Sequence, residues 1–408
     1  MTPQEHNSIR VSWQEVVAAA IVLIAVLGTV GYHAVTNSAG ELNLYVHQAN
    51  AFLHGQLSLP TNVGGDVSFF DGRYFVPFPP FPAVLLMPFV AIFGPVHTNV
   101  VAVAVGLTIL SVWFMIRILR SFELPRHTIV YAIAAFFLGT GYWSAVMISH
   151  GVHYFAQVVA ITALLGAIAE SLRKQRPWVV MLFWGAAFLS RQCTLFSWFF
   201  LAGLLAFNPA RTSRERLKTT LTFALSSALP VAAYLLYNQA RFGNPLDTGY
   251  SRIVLAEGFI KERVQTYGIF NYHYIPVNFL YLFLQGFNFS FSGPMLISTP
   301  TRNLFGTSLT FASPFLFFAF YARWNRAFLI AAWTSVVLGL VVVLSYHVNG
   351  WVQINTQRYA LDFIPILFLL MARAIPFVSQ PLWRGTILYS VMLNVIALFL
   401  FPILTRLL

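Results

Sequence analysis

The chain has 408 residues, 58% of them hydrophobic and only 9% charged, with a mean hydropathy of +0.72. Soluble domains carry about 25% charged residues. So few charges cannot cover so much apolar side chain, which excludes a water-soluble globule and makes lipid the solvent. The net charge of +12 does not point to nucleic acid, because most Lys and Arg lie in short clusters between apolar runs, as the positive-inside rule places cytoplasmic loops.

The first apolar run, 16–35, is too long for a signal-peptide core and reads as a retained helix. The stretch after it, "AGELNLYVHQANAFLHG", spaces Glu41, Tyr45, Ala49 and Leu53 four apart, on one helical face. A carboxylate at the membrane edge can accept a proton from a hydroxyl, or simply favour a helix start. "GGDVSFFDGRYFVPFPPFPAV" follows. Its Asp71-Gly72 is a turn signal, so Asp71 is read as structural. Asp66, upstream of the turn, is a candidate acid, and Arg73 is a partner for either acid or for a phosphate. The rings of Phe69, Phe70, Tyr74, Phe75 and Phe78 suit either an interface or a sugar or prenyl surface.

Candidate spans then follow at 98–117, 128–148, 152–171, 178–190, 192–206, 219–238, 307–322, 327–346, 359–375 and 385–404. The segment 79–94 is the doubtful one. It is short and carries Pro79, Pro80, Pro82 and Pro88. If it does not cross, the clusters Arg117/Arg120/Arg126, Arg173/Lys174/Arg176, Arg211/Arg214/Arg216/Lys218, Arg323/Arg326 and Arg373/Arg384 all fall inside with the N-terminus. The sequence therefore predicts an all-α polytopic membrane protein with about eleven transmembrane helices. It forms a single transmembrane domain over 1–408, with juxtamembrane helices in a first outer loop, 36–97, and a long outer loop, 239–306.

Polar groups able to carry chemistry gather on that outer side. His150 and His153 are three apart, which suits interfacial hydrogen bonding or a metal pair. Arg191 stands between two apolar helices, where an ionisable group faces a cavity or a partner. Arg358 and Asp362 are spaced for an i,i+4 pair, and a guanidinium at the outer interface suits bidentate phosphate binding. The single cysteine, Cys193, excludes an intrachain disulfide and a cysteine zinc cluster.

The order of these features resembles the GT-C superfamily of integral-membrane glycosyltransferases, closest in pattern to the protein O-mannosyltransferases and the lipid A aminoarabinose transferases. The likeness rests on a first helix, an acid with a tyrosine four residues on (Glu41, Tyr45), "AFLHG", "DGRYF", "PPFPA" and a helix that does not cross. It is best over the first 120 residues and extends to "RFGNPLDTGY" and "QRYALDF". In that family the loop after the first helix carries the catalytic acid, in an Asp-Glu pair followed by Tyr. Here Glu41 stands where Asp is usual and Leu42 replaces the second acid, so Glu41 and Asp66 are both candidates.

The resemblance implies transfer of a sugar, with inversion, from a polyprenyl-phosphate carrier at the outer face of a bacterial plasma membrane. The acceptor is a glycan, lipid or protein that the sequence does not specify. Arg191, Arg358 and Arg73 are the expected phosphate contacts, and Tyr45, Tyr74, His150, His153 and Tyr359 the expected substrate contacts. Two arginines can balance the leaving phosphate, so no cofactor is strictly required and a divalent metal is allowed but not predicted. Membrane lipids are the other partners. The alternative is a lipid or small-solute transporter or flippase. It is disfavoured by the lack of an internal repeat and by acids that lie mainly in the loops.

Overall fold

The computed structural model describes residues 13–36, 43–255, 257–287, 289–296, 299–302, 306–348 and 358–403. Helix α1 (Trp13–Thr36) is followed by the short α2 (Leu44–Leu53), whose Asn43 caps it by accepting from the Tyr45 N–H. Strands β1 (Ser68–Phe70) and β2 (Arg73–Phe75) form a hairpin. Its two-residue turn, Asp71-Gly72, has positive φ at both positions (48° and 71°), the geometry whose twist matches that of the paired strands and which Asp-Gly favours.

Helix α3 (Phe81–His97) is the segment whose crossing was in question. Its first N–H, from Phe81, reaches Leu189 O at the end of α8 (Pro177–Phe188). Its last turn leads to Asn99, whose Nδ2 donates to Ala34 O at the end of α1. Both ends of α3 thus lie at the same end of the bundle. The helix kinks at Gly94 (φ 74°) and rests on α2 and α7 without crossing.

From there the chain shuttles. Helix α4 (Val100–Arg120) runs away, α5 (Arg126–Leu138) and the short α6 (Tyr142–Met147) return, and α7 (Val152–Leu172) runs away again. Helix α8 returns, α9 (Ser197–Ala206) leaves, and α10 (Ser213–Ser226) with α11 (Ala228–Phe242) returns as a nearly continuous rod. A connecting region follows, with α12 (Phe259–Tyr267), α13 (Ile275–Phe279), the hairpin β3 (Phe289–Ser292) and β4 (Thr299–Arg302), and α14 (Leu309–Ala312). The chain closes with α15 (Arg326–Ser345), α16 (Ile364–Ala374) and α17 (Gln380–Val395).

Among the described residues five helices are long and apolar enough to cross a membrane: Val100–Arg120, Val152–Leu172, Ser213–Phe242, Arg326–Ser345 and Gln380–Ile403. Shorter apolar helices fill the bundle between them. The expected span 307–322 is different. After α14 the backbone breaks at Ser313, and Pro314–Tyr321 forms a 3-10 helix. A proline disfavours helix in the residue before it. Eight residues at about 2 Å rise cover roughly half the hydrocarbon thickness.

Helix α7 is the axis of the bundle, with 94% of its apolar window buried against neighbours that include α4, α8, α9 and α16. Its direction organises the charges. One end carries His153. The other carries Glu170, which accepts from Arg176 Nε and Nη2 at 2.8 and 3.0 Å. Arg211 bonds Lys174 O, and Arg373 bonds Arg323 O and lies over the rings of Phe122 and Trp324. The basic clusters therefore collect at one end of the bundle, and α2, the hairpin and α3 at the other.

Candidate functional site: a cavity at the end of the bundle away from the basic clusters

A cavity of about 330 Å³ opens where α7, α8, α9 and α15 end or begin. Its lining includes the polar side chains His153, Arg191, Gln192, Thr248, Tyr250, Tyr346 and Tyr359. It also includes the apolar side chains Leu195, Phe196, Ile269, Phe270, Val342 and Val343. Leu195 and Phe270 are 39% and 56% exposed, so part of the apolar lining reaches the outside of the molecule.

Asp66 is brought to this site by the segment before the hairpin. Gly64 and Gly65 both have positive φ, and the chain is then tied down by Ser68 Oγ donating to Gly249 O (2.6 Å) and Val254 N donating to Val67 O (3.1 Å). Asp66 Oδ2 meets His153 Nε2 at 2.8 Å across 87 positions of sequence. That hydrogen bond holds the Asp66 carboxyl below its ordinary range, with the charges of His153, Arg358 and His347 acting in the same direction against partial burial. Asp66 is therefore an ionised carboxylate at neutral pH. The His153 ring is fixed edge-on to Phe78, 4.7 Å between centroids.

Arg191 ends the turn after α8. Its Nε and Nη2 donate to the two carboxylate oxygens of Asp362 at 2.9 and 2.6 Å, with both side chains largely buried. The spacing of Arg358 and Asp362 suggested a pair between those two, and the structure corrects this. Residues Arg358–Asp362 form a 3-10 turn, in which three residues complete a revolution, so positions four apart do not share a face. Arg358 instead lies over the rings of Tyr154 and Tyr359 at 4.7 and 4.5 Å, with Nη2 donating to the Tyr359 hydroxyl at 3.2 Å. Gln157, one turn beyond His153 on α7, anchors this segment by donating to Arg358 O at 3.0 Å.

The remaining sequence candidates are dispersed. Tyr45 is buried on α2, with its ring 6.3–6.4 Å from those of Phe78 and Phe155. Tyr74 packs on Phe69 in the hairpin, and Arg73 is exposed at the hairpin tip; neither lines the cavity. His150 turns away from His153 and stacks on His33, 6.4 Å between centroids, so the two histidines do not converge as a metal pair would. Among the described residues no three His, Cys, Asp or Glu side chains gather as a metal site would require. Glu41 lies outside the described residues.

Several contributors were not singled out in the sequence. Tyr250 and Tyr346 line the cavity. Arg241, at the end of α11, donates to Val76 O (2.5 Å) and Asn238 Oδ1 (2.8 Å) and lies over the Tyr237 ring, clamping the chain that leaves the hairpin. The available signal was the stretch "RFGNPLDTGY", which begins at Arg241 and ends at Tyr250.

No protein-family model matches the sequence, and no curated protein matches it. The fold is similar to that of a solved membrane protein, the crystal structure of ArnT from Cupriavidus metallidurans bound to undecaprenyl phosphate. The TM-score is 0.50 at 11% sequence identity, and the match covers 91% of this chain and 61% of that one. The chain is thus a polytopic membrane protein with a fold like that of ArnT, spanning about three fifths of the length of the protein it resembles.

Proposed function

We propose that the protein transfers a sugar from a polyprenyl-phosphate carrier to an acceptor hydroxyl, at the face of the bacterial plasma membrane away from the cytoplasm. The carrying observation is the mixed lining of the cavity. It joins His153, bonded to the Asp66 carboxylate, and Tyr359, bonded to Arg358, with apolar side chains of which Leu195 and Phe270 reach the outside of the molecule. A prenyl-phosphate sugar likewise joins a polar head to an apolar chain. Arg358, held over the Tyr154 and Tyr359 rings, is the cation assigned to the phosphate. Arg191, balanced by Asp362, builds the wall beside it.

In this reading the Asp66–His153 pair takes the proton of the acceptor hydroxyl, and the oxygen attacks the anomeric carbon from the side opposite the phosphate. The bond from that carbon to the phosphate oxygen breaks, the electron pair leaves with prenyl phosphate, and the configuration inverts. Negative charge grows on the leaving oxygen, so a cation there stabilises the transition state more than the ground state. The ArnT structure, with its bound undecaprenyl phosphate, supports the donor class. The gathering of the basic clusters at the opposite end supports the sidedness.

The test is purified protein in proteoliposomes with lipid-linked sugars extracted from the producing cells. Release of free prenyl phosphate with transfer of the sugar is expected, and Arg358→Ala should lower it by at least tenfold. Movement of the intact lipid across the bilayer without cleavage would instead make the protein a flippase.

A further inference from the structure

The two members of the Asp66–His153 pair are not equivalent towards the cavity. His153 is part of the cavity wall, whereas Asp66 is not. Asp66 approaches the ring from the hairpin side and occupies Nε2. A carboxylate only accepts hydrogen bonds, so Nε2 must carry the proton of that bond, which leaves Nδ1 as the basic nitrogen of the neutral ring. Among the described residues no hydrogen bond to Nδ1 is formed, and His153 is not among the buried polar atoms left without a partner. The ring also packs against Phe78, 4.7 Å between centroids, and stands in the first turn of the most buried of the five membrane-length helices. The arrangement has the logic of a base oriented by a carboxylate behind it, in which the carboxylate selects the tautomer and stabilises the imidazolium.

We infer that His153, through Nδ1, is the group that takes the acceptor proton, and that Asp66 is a positioning residue which orients the ring and balances its charge. The inference rests on the transferase reading above. The step balances. The acceptor O–H bond breaks and its proton passes to Nδ1. The oxygen forms the bond to the anomeric carbon, and the phosphate leaves with the electron pair of the broken bond. The imidazolium then sits between the Asp66 carboxylate and the departing phosphate until solvent takes its proton.

The discriminating variant is His153→Gln. A glutamine amide can still donate to the Asp66 carboxylate and keep it in place, but it has no basic nitrogen. If Asp66 acts directly, His153→Gln retains transfer within about fivefold and the inference is overturned. If His153 is the base, transfer falls by about 100-fold or more, the range of general base catalysis, while binding of undecaprenyl phosphate is unchanged. His153→Ala with added imidazole is the second arm. Restoration of transfer that saturates with imidazole supports the assignment should the glutamine variant not fold, and failure of imidazole to restore a folded His153→Ala protein overturns it. A wild-type protein that cleaves no prenyl-phosphate sugar would remove the transferase reading itself, an outcome separate from either variant result.

Discussion

Arg191 and Asp362 show how a single buried residue can be held in a membrane protein. Each side chain is largely buried, and each satisfies the other with two parallel hydrogen bonds. The pair joins the turn after α8 to the 3-10 turn that carries Arg358 and Tyr359. Removing one partner strands a buried charge, which typically costs about 3–5 kcal/mol, whereas removing both leaves an apolar contact of similar volume. Asp362→Asn should therefore lower the unfolding temperature in detergent markedly, and the double variant Arg191→Met/Asp362→Leu should recover most of it. A double variant as unstable as the sum of the two single changes would show that the pair is not the source of the loss. The sequence singled out Arg191 as a charge at membrane depth but matched Asp362 to the wrong arginine, because i,i+4 spacing implies a shared face only in an α-helix.

Short elements, rather than the long helices, place the chemistry. The segment before the hairpin delivers Asp66, and the chain after α11 holds it and the hairpin through Gly249 and Val254. Gly249 is required there for two reasons. Its φ is +82°, and a Cβ would lie 2.6 Å from Phe242 Cζ. The Phe242 ring cannot retreat, since it is 3% exposed and packed against Phe75, Phe70 and Arg241. Gly249→Ala should cost about 1–3 kcal/mol in backbone strain and overpacking and should loosen the Asp66 loop first. Faster hydrogen exchange over 64–76, with α7 amides unaffected, is the expected reading; unchanged exchange there would mean that the hairpin is held by other contacts. The Asp71-Gly72 turn was legible because its signal is local. The break at Ser313-Pro314 was written in the sequence as well, but the apolar run around it outweighed the proline.

At the scale of the whole molecule, charge and chemistry separate. The basic clusters lie at one end of the bundle, and Asp66, His153, Arg191 and Arg358 at the other. With Cys193 changed to Ser, a cysteine at Thr61 should react with a membrane-impermeant maleimide added to whole cells, and one at Lys174 only after permeabilisation. The reverse pattern would put the cavity in the cytoplasm and exclude a donor presented on the outer side. The fold likeness to ArnT reached only the architecture, and it is the segregation of charge that gives the architecture a direction.

The sequence by itself determined what depends on neighbours along the chain and on the solvent. Composition demanded lipid, the positions of Lys and Arg set which loops gather together, and the prolines with short length set α3 apart from the spans. The tertiary structure decided what depends on residues far apart in the chain. Asp66 meets His153 across 87 positions and Arg191 meets Asp362 across 171, and no spacing rule reaches so far. These partners are selected by the packing of α7, α8 and the 3-10 turn around one cavity. There, burying a charge or a polar group is costly unless a specific partner is brought to it.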